Sequence, residues 1–237
     1  MGLLMESGSG GRWGDFGLNL AMLAIFAPLL VVPALLRDET SLGRPWYRTY
    51  WFKFNVWIGV YAAIGSYFGS EYFFDVLGMV YNYPQLSWRL DSVLLGSGEQ
   101  TVPLIMYPSA HFYFVTYHTA SVILMRRGRT SRLLGHAWCW PFVVLTAAYA
   151  FAYAETFAMA GGAIAEQFSY RDLPRMLRWG SLFYACYFVV SFPMIYRLDE
   201  APEDDWALGR VCLEALAAGM LLLLLLDTAT RFVGRLY

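Results

Sequence analysis

Residues 137–160 read "AWCWPFVVLTAAYAFAYAETFAMA". A helix needs about 20 mainly apolar residues to cross the hydrocarbon core of a bilayer, and this run provides them with a single charged side chain, Glu155. An acid at the centre of a spanning helix costs about 2.5 to 3.5 kcal/mol on insertion scales, and such residues face a bundle interior, a cavity or a partner. The same stretch therefore indicates a membrane helix and a first functional candidate.

Working outward, five more apolar segments approach that length, near 16–36, 50–69, 103–125, 179–198 and 206–230. Turn chemistry separates them: "LGRP" at 42–45, "GSG" at 96–98, "RRGRTSR" at 126–132, "GG" at 161–162 and "DEAPEDD" at 199–205. The pattern predicts an all-α, polytopic membrane helix bundle of about six transmembrane helices, forming a single integral membrane domain over residues 1–237 with no internal repeat. Composition agrees, since 58% of the residues are hydrophobic and only 15% charged, against roughly 25% charged in a soluble domain. The leader "MESGSGGRWGDFG" lacks the cationic start of a signal peptide, so the first apolar segment reads as a retained helix.

Charge excludes several partners. Net charge is −1 and Lys53 is the only lysine among 17 basic residues, so no basic tract points to nucleic acid. Seven arginines on the side of the termini face ten basic residues on the other, which tilts both termini away from the cytoplasm. The residue pattern fits the inner membrane of a bacterium or the endoplasmic reticulum of a eukaryote equally. Cys139, Cys186 and Cys212 lie scattered in apolar segments, without the spacing of a zinc site or a disulfide framework.

Glu155 has Ala, Tyr, Phe and Met around it and no neighbouring base. Desolvation disfavours its charged form and keeps it protonated, as a general acid must be; the plainer alternative is a neutral acid making one interhelical hydrogen bond. Tyr153 and Thr156 flank it, pointing elsewhere on the helix. His111 and His118 are seven residues apart, about 700° of helical turn and ~10.5 Å of rise, so both project from nearly one face. They serve either proton transfer or packing. That spacing is too wide for one ion, no ExxH or HExxH accompanies it, and His136 sits in a basic loop, so no metal site is expected.

Arg210 and Glu214 have the spacing of an intrahelical ion pair, and Asp227 with Arg231 reads as another. Asn55 and Lys53 stand where they can meet a ligand's polar head, although snorkelling also explains the lysine. Gly65 and Gly69 form a GxxxG, suited to close packing inside the monomer or to a dimer seam. No G-x-S-x-G, P-loop, Rossmann or haem motif occurs. Proton chemistry on a lipid-soluble substrate, solute movement and passive binding remain.

Several strings together, "YWFKFNVWIGVYAAIGSYFGSEYFFDVLGMVYNYP", "HFYFVTYHTAS", "AYAETFAMA", "GSLFYACYFVVSFPMIYRLDE" and "WALGRVCLEALAAGMLLLLLLD", resemble the cycloeucalenol cycloisomerase family of cyclopropyl sterol isomerases, in order from about residue 50 to 230. The resemblance implies opening of the 9β,19-cyclopropane of a sterol to a Δ8 product, with a sterol substrate, a lipid environment and no cofactor. It implies Glu155 as acid and His118 with His111 as base or relay. Trp57, Tyr67, Phe183, Tyr184 and Tyr187 would line the substrate pocket and stabilise a cation, with Asn55 and Tyr153 also touching substrate. His111, His118, Glu155, Arg210 and Asp227 match like residues of the family, whereas Glu214 replaces an Asp and Glu71 a histidine. The rival readings are a proton-coupled transporter and a noncatalytic sterol-binding protein. Oligomeric state is left open.

Overall fold

The computed structural model describes residues 13–36, 41–159, 166–201 and 203–237. The leader before residue 13, together with Gly161 and Gly162, lies outside them. Among the described residues the helices are α1 (Asp15–Leu35), α2 (Tyr50–Ile64), α3 (Ser70–Asp75), α4 (Met106–Thr130), α5 (Trp140–Met159), α6 (Leu173–Arg175), α7 (Ser181–Tyr196) and α8 (Leu208–Val233). A π turn at Gly65–Gly69 joins α2 to α3, and another at Met176–Gly180 joins α6 to α7. The result is six long rods whose chain direction alternates.

The α1, α5, α6–α7 and α8 rods are long and apolar enough to cross a membrane, so the protein is a polytopic membrane helix bundle. The other two expected spans are less apolar: the α2–α3 rod carries Lys53, Asn55, Glu71 and Asp75, and α4 carries His111, His118 and several hydroxyl side chains ahead of Arg126, Arg127 and Arg129. The α2 helix runs through the interior, packed on α4 and α8, and buries Trp57, Ile58 and Tyr61 completely. Gly219 of α8 admits this approach, since a Cβ there would stand 2.6 Å from Ile64.

At one end of the bundle β1 (Met79–Tyr81) pairs antiparallel with β2 (Phe168–Tyr170), placing Met79 opposite Tyr170 and Tyr81 opposite Phe168. This two-stranded cap was not expected from the sequence. Side chains alternate across a strand, so these four residues share the face turned toward the helices. Asp15 fastens α1 to the same end by accepting hydrogen bonds from the backbone of Ser87 (2.8 Å) and Trp88 (2.9 Å). The backbone N–H of Leu236 donates to Val76 O at 2.7 Å and ties down the end of the chain.

At the opposite end the sequence expectations need correction. Lys53 does not snorkel: it is 1% exposed, and its ammonium donates to Asp199 (2.7 Å) and to Asp205. A charge with two carboxylates in reach has no reason to seek the headgroups. Arg210 and Glu214 do not pair with each other. Arg210 lies over the Trp206 ring at 3.9 Å, while Glu214 takes Arg197, from the end of α7, at 3.6 Å. Asp227 and Arg231 do pair, at 3.4 Å.

Candidate active site

One cavity of about 860 Å³, its open mouth included, lies between α2, α4, α5 and α7 and is closed at one end by the β1–β2 cap. Glu155 of α5 stands on its wall. The hydroxyl of Tyr184, from α7, donates to Glu155 Oε2. Among the described residues of the wall Glu155 is the only carboxyl, and the remaining polar side chains are hydroxyls of Ser, Thr and Tyr.

The α7 side is held in place from α2. Tyr61 OH donates to the backbone carbonyl of Tyr187 at 2.7 Å, and Tyr187 OH reaches Gly65 O at 3.3 Å. Tyr184 and Tyr187 rings lie edge to face with centroids 5.4 Å apart, the arrangement aromatic quadrupoles favour. Tyr81 and Tyr170 extend the phenolic wall from the cap, where burial raises the pKa of each phenol and the nearby Glu155 adds to the effect. This arrangement offers a proton donor in apolar surroundings and aromatic faces for a transient positive charge.

Of the side chains singled out from sequence, Glu155, Tyr184 and Tyr187 meet on this wall, and Thr156 joins them, its hydroxyl donating to Ala152 O at 2.9 Å. The others stand elsewhere. Tyr153 is exposed on the outer face of α5, stacked on Phe157. Phe183 borders a separate groove between α7 and α8 with Cys186, Tyr67 packs edge-on against Phe68, and Trp57 is sealed in the core beside His118. Asn55 donates to Trp51 O at 2.9 Å and accepts from His111 Nε2 at 3.1 Å.

Neither histidine is among the residues lining the cavity. Both touch α2, and their spacing predicts a shared face, but α4 turns Met106, Ser109, Ala110 and Tyr113 to the cavity instead. His118 is fully buried; its Nδ1–H donates to Phe114 O at 2.7 Å and its Nε2 accepts from Ser191 Oγ at 2.8 Å. Both ring nitrogens are thus engaged, Nδ1 within α4 and Nε2 in joining α4 to α7. The direct Glu155–histidine contact expected from the sequence is not formed, because helical periodicity defines a face and not what packs against it.

Tyr81, Tyr113 and Tyr170 were missed by sequence reasoning. Period-two spacing of Met79, Tyr81 and Tyr83 was the available signal for the first; Tyr170 carried none. Glu71, beyond the span on α3, is 4% exposed and packs against Gly96, where a Cβ would lie 1.7 Å from its Oε2. Burial, then Asp75 and Asp91, push its carboxyl up to about 7, but it does not line the cavity.

Over 219 residues, 91% of this chain and 73% of the relative, the sequence is 38% identical to the cycloeucalenol cycloisomerase of Arabidopsis thaliana. The chain belongs to the cycloeucalenol cycloisomerase family. As a member of that family it is an isomerase, which sets aside the transporter and noncatalytic readings. No family model matches it, and no solved structure matches it. One carboxyl among hydroxyls is a group suited to moving a proton.

Proposed function

We propose that this isomerase opens the 9β,19-cyclopropane ring of a cycloeucalenol-like sterol to the Δ8 sterol by intramembrane proton transfer in the Glu155 cavity, its six rods crossing the bilayer. The observation that carries the reading is that, among the described residues of the wall, a single carboxyl stands in an otherwise apolar and hydroxylic cavity. Protonated Glu155 delivers its proton to C19 as the C9–C19 bond breaks, leaving a methyl group and positive charge at C9. The faces of Tyr184 and Tyr187 stabilise that cation, an attraction that reaches about 2 kcal/mol when desolvated. Loss of the C8 proton then forms the C8–C9 double bond, so that atoms and electrons balance without a co-reactant.

Glu155 accepts the C8 proton in this scheme. The Tyr184 hydroxyl holds its carboxylate between the two transfers. His118 contributes from outside the cavity by fixing α7 through Ser191, and His111 steadies α2 through Asn55.

The experiment is Glu155→Gln in purified, detergent-stable protein, alongside expression of both forms in a host that accumulates cyclopropyl sterols. The amide keeps shape and hydrogen bonding but cannot protonate carbon, so sterol binding should persist while Δ8 product falls by at least the ~10² typical of losing a general acid. Near-normal turnover would remove Glu155 from the chemistry and direct attention to Glu71. Absence of Δ8 sterols with the native chain would overturn the substrate assignment.

A further inference from the structure

The π turn that follows α2 leaves two serines in an unusual state. Ser66 and Ser70 lie four residues apart on one side of the rod, are 7% and 8% exposed, and both line the Glu155 cavity. Serine and threonine in helices commonly return their hydroxyl to a carbonyl one turn back. Ser109 does so to Ile105 O at 2.7 Å, Thr116 to Phe112 O at 3.0 Å, Thr156 to Ala152 O at 2.9 Å and Thr230 to Leu226 O at 2.8 Å. Among the described residues, neither the Ser66 nor the Ser70 hydroxyl has a hydrogen-bond partner. Ser181 Oγ is also unpartnered, but it is sealed inside protein away from the cavity wall, whereas the Ser66 and Ser70 hydroxyls are not sealed.

Both hydroxyls therefore open onto the cavity with their hydrogen-bonding capacity uncommitted to protein, and a pair of them on one largely apolar wall is available to a polar ligand group. Their position says which. Tyr184 touches Glu155 with its hydroxyl and meets Phe73, one turn beyond Ser70, edge to face at 4.8 Å. Tyr187 reaches the carbonyl of Gly65, next to Ser66. A flat apolar body lying against these two rings meets one wall that carries both the carboxyl and the serine pair.

We infer that Ser66 and Ser70 form a hydroxyl-recognition subsite that takes the 3β-hydroxyl of the sterol and so sets the cyclopropane against Glu155. This rests on the sterol reading above, and binding separates the two because it requires no turnover. The probes are a 3β-hydroxysterol without a cyclopropane and its 3-deoxy counterpart, measured by equilibrium competition on the full-length protein. The native protein should favour the hydroxysterol by ~10- to 100-fold, the scale of one or two hydrogen bonds to otherwise unsatisfied groups. In the double variant Ser66→Ala/Ser70→Ala the preference should shrink to about 3-fold or less, through weaker hydroxysterol binding with 3-deoxy binding unchanged. If the double variant is lost in purification, S66A and S70A separately carry the same comparison. Sterol binding with no preference in the native protein, or a preference that survives in the variants, overturns the subsite alone. No sterol binding at all overturns the sterol reading with it.

Discussion

Glu155 and His118 show how similar reasoning at single residues leads to different outcomes. A carboxyl in an apolar run must find a cavity or a partner, and Glu155 has both, with Tyr184 as the partner. His118 met an equally strong demand for hydrogen bonds by becoming part of the core, between Phe114 O and Ser191. With no histidine among the described residues of the wall, the proposed scheme has one carboxyl as donor and acceptor, which sterol geometry permits because the cyclopropane bridge and the 8β hydrogen lie on the same face. A bilayer-embedded site slows exchange with bulk water. Turnover in D₂O should therefore give a C19 methyl with less than one deuterium on average, and substrate deuterated at C8 should pass label to later product methyl groups in H₂O. Mass spectrometry of the product sterol reads both. Full deuteration at C19 without transfer from C8 would rule out the single-carboxyl relay and leave the isomerase assignment intact.

Among the elements, the π turn Gly65–Gly69 does most to shape the site. Its GxxxG was open to two readings, and here both glycines receive Tyr187: a Cβ at Gly69 would lie 1.9 Å from the Tyr187 hydroxyl, and one at Gly65 would lie 3.0 Å from its ring. π turns recur at functional sites because the extra residue per turn widens the helix locally. Gly69→Ala should displace Tyr187 and cost about 1 to 3 kcal/mol, the range for overpacking a filled site, with a parallel loss of turnover; Gly65→Ala should do less of both. Thermal unfolding in detergent and sterol turnover report the order. A dimer seam would instead change the particle mass in light scattering and spare turnover. The GxxxG was plain in the sequence, but its occupant came from α7, more than 100 residues away, and local pattern carries no information about such a partner.

The whole molecule is closed at both ends by contacts between distant segments. Opposite the cap, Lys53 holds Asp199 and Asp205, while Arg126 holds Glu200 at 2.6 Å, so the segment after α7 is fastened to α2 and α4. Removing one partner of a buried ion group leaves the rest uncompensated, and Lys53→Met should cost about 3 to 5 kcal/mol. The hydrogen bond from Lys53, with Arg44 and Arg48 adding to it, keeps the Asp205 carboxyl below its ordinary value against the opposing effect of burial. A lowered folded-state pKa contributes stability above the ordinary value of about 3.9 and loses it as pH falls through the lowered one. Native protein should thus hold this end together down to below about pH 4, whereas K53M should be weakened already near neutral pH and lose little further stability at this end as the pH falls, as followed by tryptophan fluorescence during acid titration.

At that same scale, the sequence by itself determined that the chain is a helical membrane protein and that Glu155 is an acid set in an apolar run. These follow from hydropathy, length and desolvation, which are properties of a segment wherever it later packs. Tertiary structure alone decided that Lys53 is buried, that Glu214 pairs with Arg197 and not Arg210, and that the histidines hold helices together outside the cavity. It also brought Tyr81 and Tyr170, 89 positions apart, to one wall with Glu155. Helical periodicity assigns a side chain to a face, but the partner of that face is fixed by the packing of rods remote in the chain, and the chemistry of the cavity arises from that packing.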